Sequence, residues 1–387
     1  MNPERRHLIG PRAVAALVAA ALVGSAVLAG WVLVGSGTVG KATALRTRAS
    51  ATAAAGAAQP AALPRTFGWP VRPFHREHAL RATFGEPRGL IDLGLRLRGA
   101  ARAVALNRMD QVALIGHRSL HTGVDIVAPD GTPVYAVTSG TATAGGAGFE
   151  QHVAVGPFQY WHLADPVPTG TPVVAYRTVI GRVYPGQEHV HLTRLGLDGT
   201  PLNPLVDGGL TPYSDTTPPR LGRLRAYRPD GTRVSLHRLS GPVVLAVNAF
   251  DPQSFGGLET GLYRLDWAMR RIGTGGPRLG PLELFRFDRL PPDAVGQRLY
   301  TIGSTRHRTH PHFSYRLTSV SAGAPGPLHA DELQTELMPA GRYELVVVAW
   351  DVRGNHARRS YDVRILPSGG ALVRPPGAPP AGSARSA

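Results

Sequence analysis

Three short segments carry the side chains best suited to chemistry. The first is Leu120-His121-Thr122-Gly123-Val124-Asp125-Ile126, which runs on through Ala128-Pro129-Asp130-Gly131-Thr132-Pro133-Val134-Tyr135-Ala136. On an extended chain, residues four apart face the same way, so His121 and Asp125 can converge on one ion. An imidazole plus a carboxylate suits zinc. A loop histidine beside a turn aspartate gives the same letters, and the trailing Ala-Pro-Asp-Gly-Thr-Pro-Val-Tyr-Ala run makes the metal reading the less ambiguous one. The second segment, Glu188-His189-Val190-His191-Leu192, puts two histidines on one face of a strand. One can bind metal while its neighbour overhangs a water; a pair of exposed strand histidines is the alternative. Between them, Gln159-Tyr160-Trp161-His162-Leu163 places His162 at the edge of an aromatic strand, where packing is the commoner role.

The ligand chemistry is narrowed by composition. There is no cysteine, which removes thiolate ligands, disulfides, a cysteine nucleophile and a lipid anchor attached through cysteine, so a metal site must use His, Asp or Glu. Other candidates are weaker. The Arg306-His307-Arg308-Thr309-His310-Pro311-His312 stretch has a proline that breaks strand pairing and no acid close by, and it reads as a solvated loop. His117 and His152 read as loop and strand histidines. Asp251, Asp266 and Asp351 could form a calcium site, but ordinary turn aspartates are the favoured reading.

The elements that must position these residues are short. Gly (47) and Pro (35) are abundant in a chain of 387 residues, which favours many brief strands over long helices and more than one folded unit. The expected class is mainly β. An uncharged run from Ala13 to about Val34 follows Arg5, Arg6 and Arg12. As a helix at about 1.5 Å per residue it would span roughly the 30 Å hydrocarbon core of a bilayer. Residues 1–35 therefore read as a signal anchor or signal peptide, with everything downstream outside the cytoplasm. Residues 36–64 read as a flexible linker, 65–212 as an antiparallel β domain, 213–366 as a β-sandwich and 367–387 as a disordered tail. The hairpin pattern Gly341 to Asp351, turn, Tyr361 to Ile365 resembles the close of an immunoglobulin-like or fibronectin-like sandwich, whereas Arg270 to Leu337 resists division into strands. The net charge of +16 is almost wholly arginine, with Lys41 the single lysine. It suits an anionic envelope, and without a basic helix, RNP-like strand or zinc finger, nucleic-acid binding is disfavoured.

Taken in order, the three histidine segments resemble the lysostaphin-like (LytM-like) zinc metallopeptidases. The match extends from Phe84-Gly85-Glu86-Pro87-Arg88 to Asn203-Pro204, within about Phe67 to Leu210. The resemblance implies one zinc ion held by His121, Asp125 and His191, with His162 and His189 as catalytic residues. It also implies a metalloendopeptidase acting on peptidoglycan peptide outside the membrane. A non-catalytic peptidoglycan-binding or hydrolase-activating protein of the same fold is the main alternative, and a secreted peptidase acting on protein substrates is a third. Two departures affect the expected substrate groove: about thirty residues intervene between Arg88 and His121, and Gly181 to Gln187 lacks the glycine- and serine-rich stretch common there.

Overall fold

Alternation of apolar and polar residues over four to ten positions, closed off by Gly, Pro and Asp-Gly, gives strands that can bury one face each. The structure is a computed structural model describing residues 66–88, 120–206, 209–273, 278–296, 298–301, 304, 312–319 and 326–367. It is mainly β, with antiparallel sheets. The apolar run at Ala13 to Val34, His117, His307 and His310 lie outside the described residues. No helix among the described residues is long and apolar enough to cross a membrane.

The first half contains β1 (Leu80–Ala82), β2 (Val124–Val127), β3 (Pro133–Tyr135), β4 (Gly140–Gly145), β5 (His152–Val155), β6 (Phe158–Trp161), β7 (Leu163–Ala164), β8 (Pro172–Val173), β9 (Val179–Val183), β10 (His189–Leu195) and β11 (Pro201–Leu202). The main sheet runs β1-β2-β10-β6-β5-β4-β8, with β11 also on β10, and β3-β9-β7 form a second, small sheet. Trp69, Val124, Ile126, Val153, Val155, Tyr160, Val190 and Leu192 fill the core of this half. In β10 the residues Val190 and Leu192 enter that core while His189, His191 and Thr193 share the opposite face, because side chains alternate along a strand.

The second half follows as β12 (Arg220–Tyr227), β13 (Arg233–Val234), β14 (Pro242–Pro252), β15 (Glu259–Thr260), β16 (Arg264–Arg271), β17 (Arg278–Arg286), β18 (Ser314–Arg316), β19 (Leu328–His329), β20 (Glu332–Gln334), β21 (Gly341–Trp350) and β22 (His356–Ile365). One sheet has the order β13-β12-β14-β20-β19, with β15 and β18 also on β14; the other has the order β17-β16-β21-β22. Both contribute to one core that includes Leu245, Val247, Trp267, Tyr315, Leu345 and Val347. The stretch that resists division by pattern holds β17 to β20. Gly280-Pro281 and register shifts within the β16–β17 ladder interrupt the alternation there, and β18 to β20 span only two or three residues each.

The two halves share structure at their junction. Phe84 and Leu120, from the first half, are buried in the core of the second, while Val352 packs against the core of the first. Gly85 sits at φ +83, and a Cβ there would meet the Phe287 ring at 2.5 Å, so the ring lies flat against bare backbone. Tyr300 donates its hydroxyl hydrogen to the Gly85 carbonyl at 2.9 Å, and the Leu80 amide donates to Gln253 Oε1 at 3.3 Å. Phe287→Ala, at a fully buried position stacked on Phe285, should cost roughly 3–5 kcal/mol of stability. Urea denaturation followed by tryptophan fluorescence should show a single transition, shifted as a whole. Two separate transitions in the wild type would contradict a shared junction.

Candidate metal centre

The ladder that joins β2, β10 and β6 decides which side chains meet. His191 stands opposite Asp125 on one side and Trp161 on the other, so His162 follows directly after a cross-strand neighbour of His191. His121 lies just ahead of β2, where its amide donates to the Glu86 carbonyl at 2.8 Å and its carbonyl accepts from the Gly85 amide at 2.9 Å. The result brings His121 Nε2 within 2.9 Å of Asp125 Oδ1 and 2.7 Å of His191 Nδ1, with His191 Nδ1 2.9 Å from Asp125 Oδ1. All three side chains are buried. This group could hold a metal ion.

The protons support that reading. His121 Nδ1 faces the Thr83 carbonyl at 2.8 Å and must donate to it, which leaves Nε2 a bare lone pair pointing at a carboxylate oxygen. His191 Nε2 is 2.8 Å from Thr193 Oγ1, and donation in that direction leaves Nδ1 bare as well. In that tautomer three lone pairs converge without a proton among them, an arrangement that a cation relieves; with Thr193 donating instead, His191 Nδ1 carries its hydrogen to Asp125 Oδ1. Thr83 and Thr193 fix the two rings as carbonyl and hydroxyl partners commonly do for metal-bound histidine.

His189 and His162 flank this point. His189 donates its Nδ1 hydrogen to the Gln187 carbonyl, and its Nε2 lies 3.7 Å from Asp125 Oδ1. The His162 ring is centred 4.8 Å from that of His189 and 6.2 Å from that of His191, and its Nδ1 donates to the Phe149 carbonyl at 2.7 Å. Both rings therefore keep Nε2 as the free nitrogen. His162 has φ +64 and Glu188, just ahead of His189, has φ +53; a non-glycine residue pays strain in this region, of order 1–3 kcal/mol, and such strain gathers at functional sites.

Burial is the first cause that holds the His121, His162 and His189 rings below the usual imidazole range. For His121 the fall reaches about 4, with the Arg88 charge adding to desolvation and Asp125 opposing it. Asp125 lies well below the ordinary carboxylate range because the histidine contacts outweigh its own burial. Arg88 places Nη2 3.4 Å from Asp125 Oδ2 and Nη1 3.4 Å from Glu86 Oε2. Glu86, fully buried, accepts from the amides of Thr83 at 2.8 Å and Gly261 at 3.0 Å, so a residue of the second half helps fix the loop that carries Thr83.

The five residues singled out by motif are brought together. Thr83, Thr193, Gln187 and Gly261 were not anticipated; only Thr193 left a signal, as the next same-face position after His189 and His191. His152 is stacked on Trp161 with ring centroids 3.9 Å apart and takes no part. Asp266 is paired with Arg264 and accepts from the Trp350 indole, outside any carboxylate group. A scan of the chain against protein-family models and a search of curated proteins returned no match.

Two outcomes follow from this geometry. A Cβ at Gly123 would lie 2.1 Å from the Leu192 carbonyl oxygen and 3.0 Å from His191 Nε2, so Gly123→Ala must push β2 and β10 apart. Metal affinity, measured by competition with a chromogenic chelator, should fall at least tenfold, in line with the roughly 10- to 100-fold losses for residues that orient ligands. The second concerns pH. His121 titrates near 4 folded and near 6.5 unfolded, so between those values the unfolded chain holds a proton that the folded chain excludes. Metal-free protein should lose stability as pH falls from about 6.5 to 4, and Asp125 extends the loss below its unfolded value. Urea midpoints across this range should fall for the wild type and fall less steeply in His121→Gln, in which the buried His162 and His189 still contribute.

Proposed function

We propose that the protein is a zinc-dependent endopeptidase of the lysostaphin type, hydrolysing peptide bonds of bacterial peptidoglycan outside the cytoplasmic membrane. The observation that carries the reading is the convergence of His121, Asp125 and His191 beside two further histidines with free Nε2 atoms. Two imidazoles and one carboxylate are a donor set that suits zinc, and three protein ligands leave a tetrahedral ion one open position. When bound, zinc lowers the pKa of a water from about 15.7 to about 7 and polarises a carbonyl.

The chain's own groups supply the proton handling. His189 is neutral at pH 7 because burial depresses its pKa, and with Nδ1 donating to Gln187 its Nε2 accepts the proton of the attacking water. The same nitrogen then returns the proton to the leaving amine. His162, with Nδ1 committed to Phe149, holds water by accepting a hydrogen bond; it becomes a donor to a developing oxyanion only once protonated, which its burial opposes. The acid–base role thus falls to His189 and the positioning role to His162.

The wall target rests on the family resemblance, on the arginine-flanked apolar run that suggests export, and on a net charge of +16 that suits an anionic envelope. The test is incubation of the purified protein with defined muropeptides, with and without chelator, and product identification by mass. Cleavage should require metal. His189→Ala should lower the rate about 10²- to 10⁴-fold while retaining stoichiometric zinc, whereas Asp125→Ala should lose both. Stoichiometric zinc without cleavage of any wall peptide would instead favour a binding or activating role.

A further inference from the structure

A second group of acidic side chains lies far along the chain from the first. Asp215, in the connector between the halves, Asp251, near the end of β14, and Asp351, in the turn between β21 and β22, are all buried, and each offers an oxygen within 4.8 Å of the other two. Among the described residues none of the three is paired with a guanidinium. Arg353, close in sequence, is committed to the Leu205 carbonyl at 3.1 Å and to the face of the Tyr213 ring.

How each carboxylate is held distinguishes this group from a chance collection of acids. Asp215 Oδ1 accepts from the amides of Thr217 and Ser254 and from the Ser254 hydroxyl, yet its Oδ2 is buried with no partner. Asp351 is fixed from the outside by the amides of Arg353 and Asn355 and by the Asn355 side chain. Asp251, only 4% exposed, makes no side-chain hydrogen bond among the described residues, and its Oδ1 is wholly buried without a partner. Leaving such an oxygen unsatisfied is costly unless a ligand fills the gap. Asp251 also borders a small cavity lined by Tyr213, Asn203, Leu205 and Val352, where water could complete a coordination shell.

We infer that Asp215, Asp251 and Asp351 form a site for a hard divalent cation of the calcium class, which fastens the connector to the two sheets of the second half. All donors are oxygen, with no nitrogen or sulfur ligand in the group, which sets it apart from the histidine centre. Calcium–oxygen distances of about 2.3–2.6 Å place ligands on opposite sides of the ion up to about 5 Å apart, compatible with the observed 4.8 Å limit. Burial and the charges of Asp215 and Asp351 push Asp251 up to about 9, so without a cation it keeps a proton that a divalent ion would replace. Tyr213 and Val352, beside the site, pack into or against the core of the first half, so occupancy of the site would stabilise the junction.

The test titrates calcium alone into the chelator-treated full chain, by calorimetry and thermal melting. One ion per chain should bind, and Tm should rise by roughly 5 °C at a hundredfold excess over Kd. Both effects should persist in Asp125→Ala and weaken at least tenfold in Asp251→Asn. Because Asp251 makes no side-chain hydrogen bond, that variant should fold and, without calcium, melt at or above the wild type; far-UV circular dichroism checks the fold. Asp215→Asn, which keeps an Oδ1 acceptor, is a second variant with the same expected loss of calcium affinity. The idea is overturned if calcium does not bind, if both asparagine variants bind it as tightly as the wild type, or if Asp125→Ala abolishes it.

Discussion

The antiparallel ladder that sets β10 between β2 and β6 is the constraint on which the candidate site depends. It places His191 across from Asp125 and next to Trp161, whose successor is His162. Because side chains alternate, a slip of β10 by one residue would turn His191 toward the core, away from Asp125, and bring Val190 out. Two features oppose the slip. Val190 and Leu192 are fully buried on the other face of β10, and Gly123 leaves no room for a side chain against the Leu192 carbonyl. The glycine of the His-x-Gly-x-Asp motif is thus a steric requirement of the strand pair that brings the ligands together.

The ladder alone does not place His121, which lies ahead of β2. That residue is held by the chain from Thr83 to Glu86, through two backbone hydrogen bonds and the contact of Nδ1 with the Thr83 carbonyl. This stretch is in turn fixed by Gly261, Phe287 and Tyr300 of the second half. The second half is therefore part of the support for the candidate site. Burial produced by this packing also sets the electrostatics: it keeps His121, His162 and His189 neutral at pH 7, the first available as a ligand and His189 as a base.

The two side-chain groups proposed as metal sites follow one logic with different donors. In each, hydrogen bonds from the surrounding chain hold two of the three side chains in place, and in the acidic group Asp215 Oδ2 and Asp251 Oδ1 are left buried without a partner. Two imidazoles and a carboxylate suit a borderline ion such as zinc, whereas three carboxylates suit a hard one. The acidic group combines Asp251 and Asp351, expected as turn aspartates, with Asp215 in place of Asp266. Asp266 is removed from it because β16 pairs with β21 so as to direct that carboxylate to Arg264 and Trp350.

The sequence by itself determined the mainly β character and the five residues of the candidate site, because both are written in local spacing. Alternation reports which face a side chain takes, and His121 with Asp125, or His189 with His191, lie close enough along the chain for that rule to apply. What it could not convey were partners set by register and packing between distant segments. Thr83 lies 38 residues from the ring it orients, and Gly261 lies 175 residues from the Glu86 carboxylate it binds. The Asp215, Asp251 and Asp351 group has the same origin. Its members come from a connector, a strand end and a hairpin turn, with no periodicity to link them, and only the packing of the connector against the two sheets of the second half brings their oxygens together.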